Sequence, residues 1–124
     1  MSLLLDTLVF IWWRENSPRL SSEVKMAVRD ADVVFVSMAS VWEIAIKTSV
    51  GKLRISGPVA AGILSSNFEP LPVQFSHVDV VEHLPFHHRD PFDRMLVAQC
   101  RVEGLTLVTG DRRLEPYDIP FLWL

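Results

Sequence analysis

Residues 90–111, "DPFDRMLVAQCRVEGLTLVTGD", read as one uninterrupted helix-to-strand unit. Asp90 is of a type that caps helices, and Pro91 suits the first helical position, where no N–H is needed. Asp93 lies on the first turn, where the helix dipole favours negative charge. Gly104 supplies the stop, and Leu105 to Thr109 follow as a short run without strict polar alternation. Such a run reads as a strand buried on both faces, the habit of parallel sheets covered by helices.

Similar runs recur: "LLLD" ending at Asp6, "VVFVS" ending at Ser37, and a last "PFLWL". Helical patterns separate them: Thr7 to Arg14, "SPRLSSEVKMAVRD", "MASVWEIAIKTSV" between Ser37 and Gly51, and a shorter "FSHVDVVEHL" after the turn-like "EPLPV". In the Ser37 to Gly51 helix, Met38, Val41, Trp42, Ala45 and Ser49 fall on one face. The alternation predicts an α/β fold, a three-layer sandwich with a central, mainly parallel sheet and helices on both faces. No repeat or linker divides the 124 residues, so one domain over 1–124 is expected.

The single cysteine, Cys100, forms no internal disulfide and reads as a small buried hydrophobe. The apolar run from Leu3 to Trp13 is interrupted by Asp6 and too short to span a bilayer, so a soluble cytoplasmic protein without membrane contact is expected. A hydrophobic fraction of 49% with four tryptophans is rich for so small a domain, and part of that surface is expected to meet a partner chain. The formal net charge of −3 argues against nucleic acid only if the acids are scattered.

Each acid has a structural reading beside a chemical one. Asp6 caps the Thr7 to Arg14 helix, or faces a ligand at the carboxyl end of a parallel strand. Glu43 forms a solvent-face pair with Lys47, or enters a crevice from a helix that is apolar over more than one face. Asp90 suffices as a cap, which leaves Asp93 free for chemistry. Asp111 in "TGDRR" makes a Gly-Asp turn, or stands as a second acid beyond a strand end.

In the predicted winding all four sites converge on one edge. Clustered carboxylates repel one another and are stable only with cations or protons among them. An all-oxygen donor set suits Mg²⁺ or Mn²⁺ rather than Zn²⁺. Setting aside Asp6, Glu43, Asp93 and Asp111 turns the formal balance from −3 to +1. Arg89, Arg94, Arg112, Arg113 and Lys47 flank these acids and are candidate phosphate contacts. The histidines are weaker signals: His77, His83, His87 and His88 read as surface or satisfied polar groups. His87 and His88 cannot both face one site from a regular element, and His88 is the one near enough to "DPFD" to merit testing.

In order, "LLLDT", "VSMASVWEIAIKTSVGKL", "HHRDPFDRMLVAQC" and "EGLTLVTGDRRL" resemble the PIN-domain proteins, specifically the VapC-like ribonuclease toxins of bacterial and archaeal toxin-antitoxin pairs. The resemblance extends over nearly the whole chain and rests on four separated segments. It implies a PIN fold, dependence on Mg²⁺ or Mn²⁺, and endonucleolytic cleavage of RNA. It places the family's four acids on Asp6, Glu43, Asp93 and Asp111 as catalytic metal ligands. Asp90 then caps or supports them, and Thr7 and Thr109 help position water or a carboxylate. The resemblance further implies a cognate antitoxin that covers the site, and a homodimer. One departure is Leu8, where the family often has a small polar residue or His. The ligands are untouched, but a polar role there is lost.

Two competing readings remain open. Asp6 could act as a phosphotransfer nucleophile, although the common phosphatase arrangement wants a second Asp at position 8. The acids could instead only cap helices in a non-catalytic interaction module.

Overall fold

A computed structural model describes residues 1–124. Five strands form one sheet in the order β3-β2-β1-β4-β5, and every pairing is parallel. They are β1 (Leu3–Leu5), β2 (Val34–Ser37), β3 (Glu69–Leu71), β4 (Thr106–Thr109) and β5 (Phe121–Trp123). Leu5 stands opposite Val36 on one side and Val108 on the other. All three leucines of β1 are fully buried, because successive side chains point to opposite faces and both faces are covered.

Leu3 and Leu5 join one core with Phe10, Val24, Ile44 and Ile63. These come from α1 (Thr7–Arg14), α2 (Ser22–Asp30), α3 (Met38–Ser49) and α4 (Val59–Ser65). Leu4 joins the opposite core with Leu96, Val97 and Leu107, under α5 (Phe75–His83) and α6 (Pro91–Glu103). The three-layer sandwich expected from the alternation of runs is therefore present, with the sheet wholly parallel. No helix is long and apolar enough to cross a membrane.

Three local expectations are corrected. The turn-like "EPLPV" contains β3; Pro70 donates no ladder hydrogen bond, which an edge strand tolerates. The seven-residue α4 was not anticipated, since only Gly62 and Ile63 of it are buried and so short a stretch shows no period. The face of α3 that carries Met38, Val41, Trp42, Ala45 and Ser49 is not the buried one. The buried residues of the helix are Ala39, Ser40, Glu43 and Ile44, while Met38 and Trp42 are exposed. Small residues let this helix approach its neighbours closely, and the large apolar ones are left outside.

The sheet order reverses direction between β1 and β4, the switch point where open parallel sheets leave a crevice at their carboxyl ends. Asp6 follows β1, and Asp111 lies two residues beyond β4. The topology thus brings residues 105 positions apart to the same crevice.

Candidate metal centre

Asp6 both caps and faces the crevice. Its Oδ1 accepts the Val9 N–H at 2.8 Å, which leaves the other oxygen free of that task. Burial raises its pKa from 3.8 to about 6, against hydrogen bonds from Thr109 and Val9, with the charges of Asp111 and Glu43 adding to the rise. Thr109, fully buried beneath the site, also accepts the Asp111 N–H through Oγ1 at 3.1 Å.

Glu43 is 7% exposed. Thr7 donates its hydroxyl proton to Glu43 Oε1 at 2.6 Å, and Lys47 Nζ lies 2.9 Å from Oε2. Both readings of this acid therefore coexist, since the i, i+4 pair forms while the carboxylate points inward. The lysine side chain remains half exposed.

At the start of α6, Asp90 Oδ1 accepts the N–H groups of Phe92 at 2.8 Å and Asp93 at 3.3 Å. That cap leaves the Asp93 side chain free for the crevice, where burial first, and then the charges of Asp90 and Asp6, raise its pKa to about 7. Asp111 is held by Arg113, with Nε 2.9 Å from Oδ1 and Nη2 2.8 Å from Oδ2. The Arg113 hydrogen bond lowers its pKa to about 2.

Asp6, Glu43, Asp90, Asp93 and Asp111 line one cavity of about 540 Å³, together with Thr7, Lys47 and Arg113. Its far wall is apolar and includes Leu8, Trp12, Leu53 and the terminal Leu124. The chain end lies close here: a Cβ added to Gly110 would meet Leu124 Cδ1 at 3.1 Å.

The other candidate phosphate contacts lie elsewhere. Arg112 stacks over Trp123 at 4.2 Å, and Arg89 is exposed outside the cavity lining. Arg94 is a correction. It is 5% exposed, and its guanidinium donates to the carbonyls of Val81, Leu84 and Pro85 and to Tyr117 Oη. Those bonds place it in the fabric of the fold, without a free donor fork to offer a phosphate.

His88, given little weight from sequence, enters the centre. Its Nε2 lies 3.0 Å from Asp93 Oδ2 and 3.1 Å from Asp111 Oδ2. His87 and His88 diverge because they sit in a loop: His87 packs on the Tyr117 ring at 5.0 Å, and His88 turns inward. The signal available in the sequence was its place just before the Asp90 cap.

The donor set fits a hard divalent cation. Four carboxylates converge, and burial with mutual repulsion holds Asp6 and Asp93 toward their protonated forms, which is the electrostatic state of a site short of positive charge. Lys47 and Arg113 compensate Glu43 and Asp111, and neither forms an ion pair with Asp6 or Asp93.

Residues 3–120 match the family model for the PIN domain. The chain belongs to the PIN-domain family. This PIN domain is 30% identical over 122 residues to Ribonuclease VapC22 of Mycobacterium tuberculosis, covering 96% of this chain and 94% of that protein. Its fold is similar to chains in the crystal structures of VapBC2 from Rickettsia felis bound to a promoter DNA fragment and of FitAcB from Neisseria gonorrhoeae. The first superimposes with a TM-score of 0.72 at 13% identity, over 98% of both chains. The second gives 0.68 at 18% identity, over 97% of this chain and 96% of that one.

Proposed function

We propose that this PIN domain is a metal-dependent endoribonuclease that acts as the toxin of a toxin-antitoxin pair. It hydrolyses RNA phosphodiester bonds at a centre held by Asp6, Glu43, Asp93 and Asp111. The observation that carries the reading is the convergence of these acids, with Asp6 and Asp93 driven toward protonation. Mg²⁺ is the ion we assign, with Mn²⁺ able to replace it. When bound, it supplies Lewis-acid polarisation of the phosphodiester and of water.

The chain's own groups prepare that site. Asp6 and Asp93 are the principal ligands, and Glu43 and Asp111 complete the set directly or through water. Thr7 orients Glu43, Thr109 steadies Asp6, and Asp90 keeps the first turn of α6 in place. Lys47 and Arg113 have exposed stems and can turn from their carboxylates toward a phosphate once a cation takes over the compensation. Arg89 and Arg112 contact the strand further out.

Residues 1–124 act as one nuclease domain in the cytoplasm, as a homodimer, restrained by a cognate antitoxin chain that covers the cleft. A toxin-antitoxin complex from Klebsiella pneumoniae contains a chain of similar fold, with a TM-score of 0.61 at 15% identity. Phosphotransfer through Asp6 has no support at position 8, where Leu8 is apolar. A module of separate helix caps gives no reason for the acids to share a cleft.

The test is thermal unfolding of the purified, partner-free protein with and without Mn²⁺, together with RNA cleavage. A hundredfold excess over Kd adds about 2.7 kcal/mol, roughly 10 °C for a domain of this size. Wild type is expected to show that rise and to cleave RNA. Asp6→Asn and Asp93→Asn are expected to show neither, and cleavage retained in both would overturn the assignment.

A further inference from the structure

The loop before α6 carries a ring that is not among the four proposed ligands. His88 is 8% exposed, and its surroundings fix where its proton sits. Nδ1 lies 2.9 Å from the backbone nitrogen of Arg89 and 3.4 Å from that of Asp90. A backbone N–H only donates, so Nδ1 is the bare nitrogen and the ring is the neutral Nε2–H tautomer. That Nε2–H donates to Asp111 Oδ2 at 3.1 Å, and Asp93 Oδ2 stands 3.0 Å from the same nitrogen without being its hydrogen-bond acceptor. The three ligand atoms lie within 4.8 Å of one another.

The ring is held in this attitude from behind. The His88 backbone N–H donates to Tyr117 Oη at 3.2 Å, and Tyr117 donates to the Pro85 carbonyl at 2.6 Å. Arg94 Nη1 reaches both of these acceptors, while its Nη2 holds the carbonyls of Val81 and Leu84. Helix α6 therefore presents Asp93 to the cleft and, one residue later, fastens the loop that delivers His88.

We propose that His88 is a positioning residue of the metal centre. Its Nε2–H holds Asp111 by a hydrogen bond and the ring nitrogen keeps Asp93 beside it, so that both carboxylates are set for a divalent ion without the ring itself becoming a ligand. The two acids come from different elements, and His88 Nε2 lies within 3.1 Å of both carboxylates. Ligation through Nε2 would move the ring proton to Nδ1, against the Arg89 N–H. Outer groups that orient ligands in this way are worth about 10–100-fold in metal affinity.

The inference rests on the metal-nuclease reading, and its test separates the two. Mn²⁺ affinity would be measured by calorimetry on wild type, His88→Gln and His88→Leu, with folding checked by circular dichroism. An electron spin echo spectrum of the wild-type Mn²⁺ complex would report any coordinated nitrogen. Failure of wild type to bind Mn²⁺ would overturn the metal reading and this inference with it.

Where wild type binds, we expect no coordinated nitrogen. Gln keeps a donor at the Nε2 position and should stay within about threefold, while Leu should weaken binding by about 10–100-fold. With the metal reading intact, the role of His88 is overturned by a coordinated nitrogen, by Leu binding as tightly as wild type, or by Gln binding as weakly as Leu. If the Leu variant does not fold, the spectrum and the Gln variant decide: a nitrogen signal, or a Gln loss beyond about tenfold, overturns the role.

Discussion

Asp6 divides its two oxygens between a helix cap and the cleft, and that double duty has a cost that can be read in pH. Its pKa rises from 3.8 to about 6, and that of Asp93 to about 7. Both bind their protons more tightly folded than unfolded, so the metal-free fold is penalised as pH climbs through 6 and 7 and relieved as it falls toward 4. Asp111 runs the other way: held at about 2, it contributes stability above 3.8 that is lost as pH drops through 2. Without metal, the unfolding temperature should therefore rise from pH 8 to pH 5 and fall again below pH 3; a steady fall from pH 8 downward would contradict this. Asp6→Asn keeps an oxygen for the cap while removing the charge. Near neutral pH the metal-free variant should gain up to about 3 kcal/mol in urea unfolding. Burial likewise pushes the Cys100 thiol up, so a disulfide reagent should label it only as the protein unfolds.

Among the elements, α6 shows most plainly what the sequence could and could not convey. Its start, its stop and the acid on its first turn were legible, because capping residues and Gly104, which adopts φ 69°, are local signals. The fate of Arg94 was not, since nothing local separates it from Arg89 on the other side of "DPF". One residue of helix turns a side chain by about 100°, and that rotation sends Asp93 to the cleft and Arg94 into the fold. Arg94→Met removes the donor from the Leu84 carbonyl and leaves the Val81 and Pro85 carbonyls and Tyr117 Oη with their remaining donors only, so it should cost about 1–3 kcal/mol in urea unfolding. Arg94→Lys should restore only part, lacking the planar fork. On α3 the same limit appears in reverse: the bulky face that carries Met38 and Trp42 lies outside, and packing favours Ala39 and Ser40. For β3, Pro70 and Pro72 gave the composition of a turn to a strand defined by its partner β2.

Across the whole molecule, the parallel sheet was legible because runs such as "LLL" and "LVT" lack the alternation of a half-exposed strand. Its strand order was not; the convergence of Asp6 with Asp111 was expected at a shared carboxyl edge, and the pairing of β4 with β1 is what makes the two neighbours. Charge follows the same geometry: a chain of net charge −3 gathers five of its 15 acids in one cleft, with cationic groups on the rim and nearby surface. Binding of single-stranded RNA to an inactive Asp93→Asn protein should therefore weaken with salt. Arg113→Ala and Arg89→Ala should each reduce the logarithmic slope by about 0.7; unchanged slopes would remove them from the contact surface.

The position of Leu124 on the cleft wall makes the two ends of the chain unequal for handling. The Met1 amine lies against Asp32 beside the amino ends of β1 and β2, so a purification tag joined there emerges away from the carboxyl ends that carry the acids. A tag joined after Leu124 emerges at the mouth of the cavity and would compete with whatever enters it.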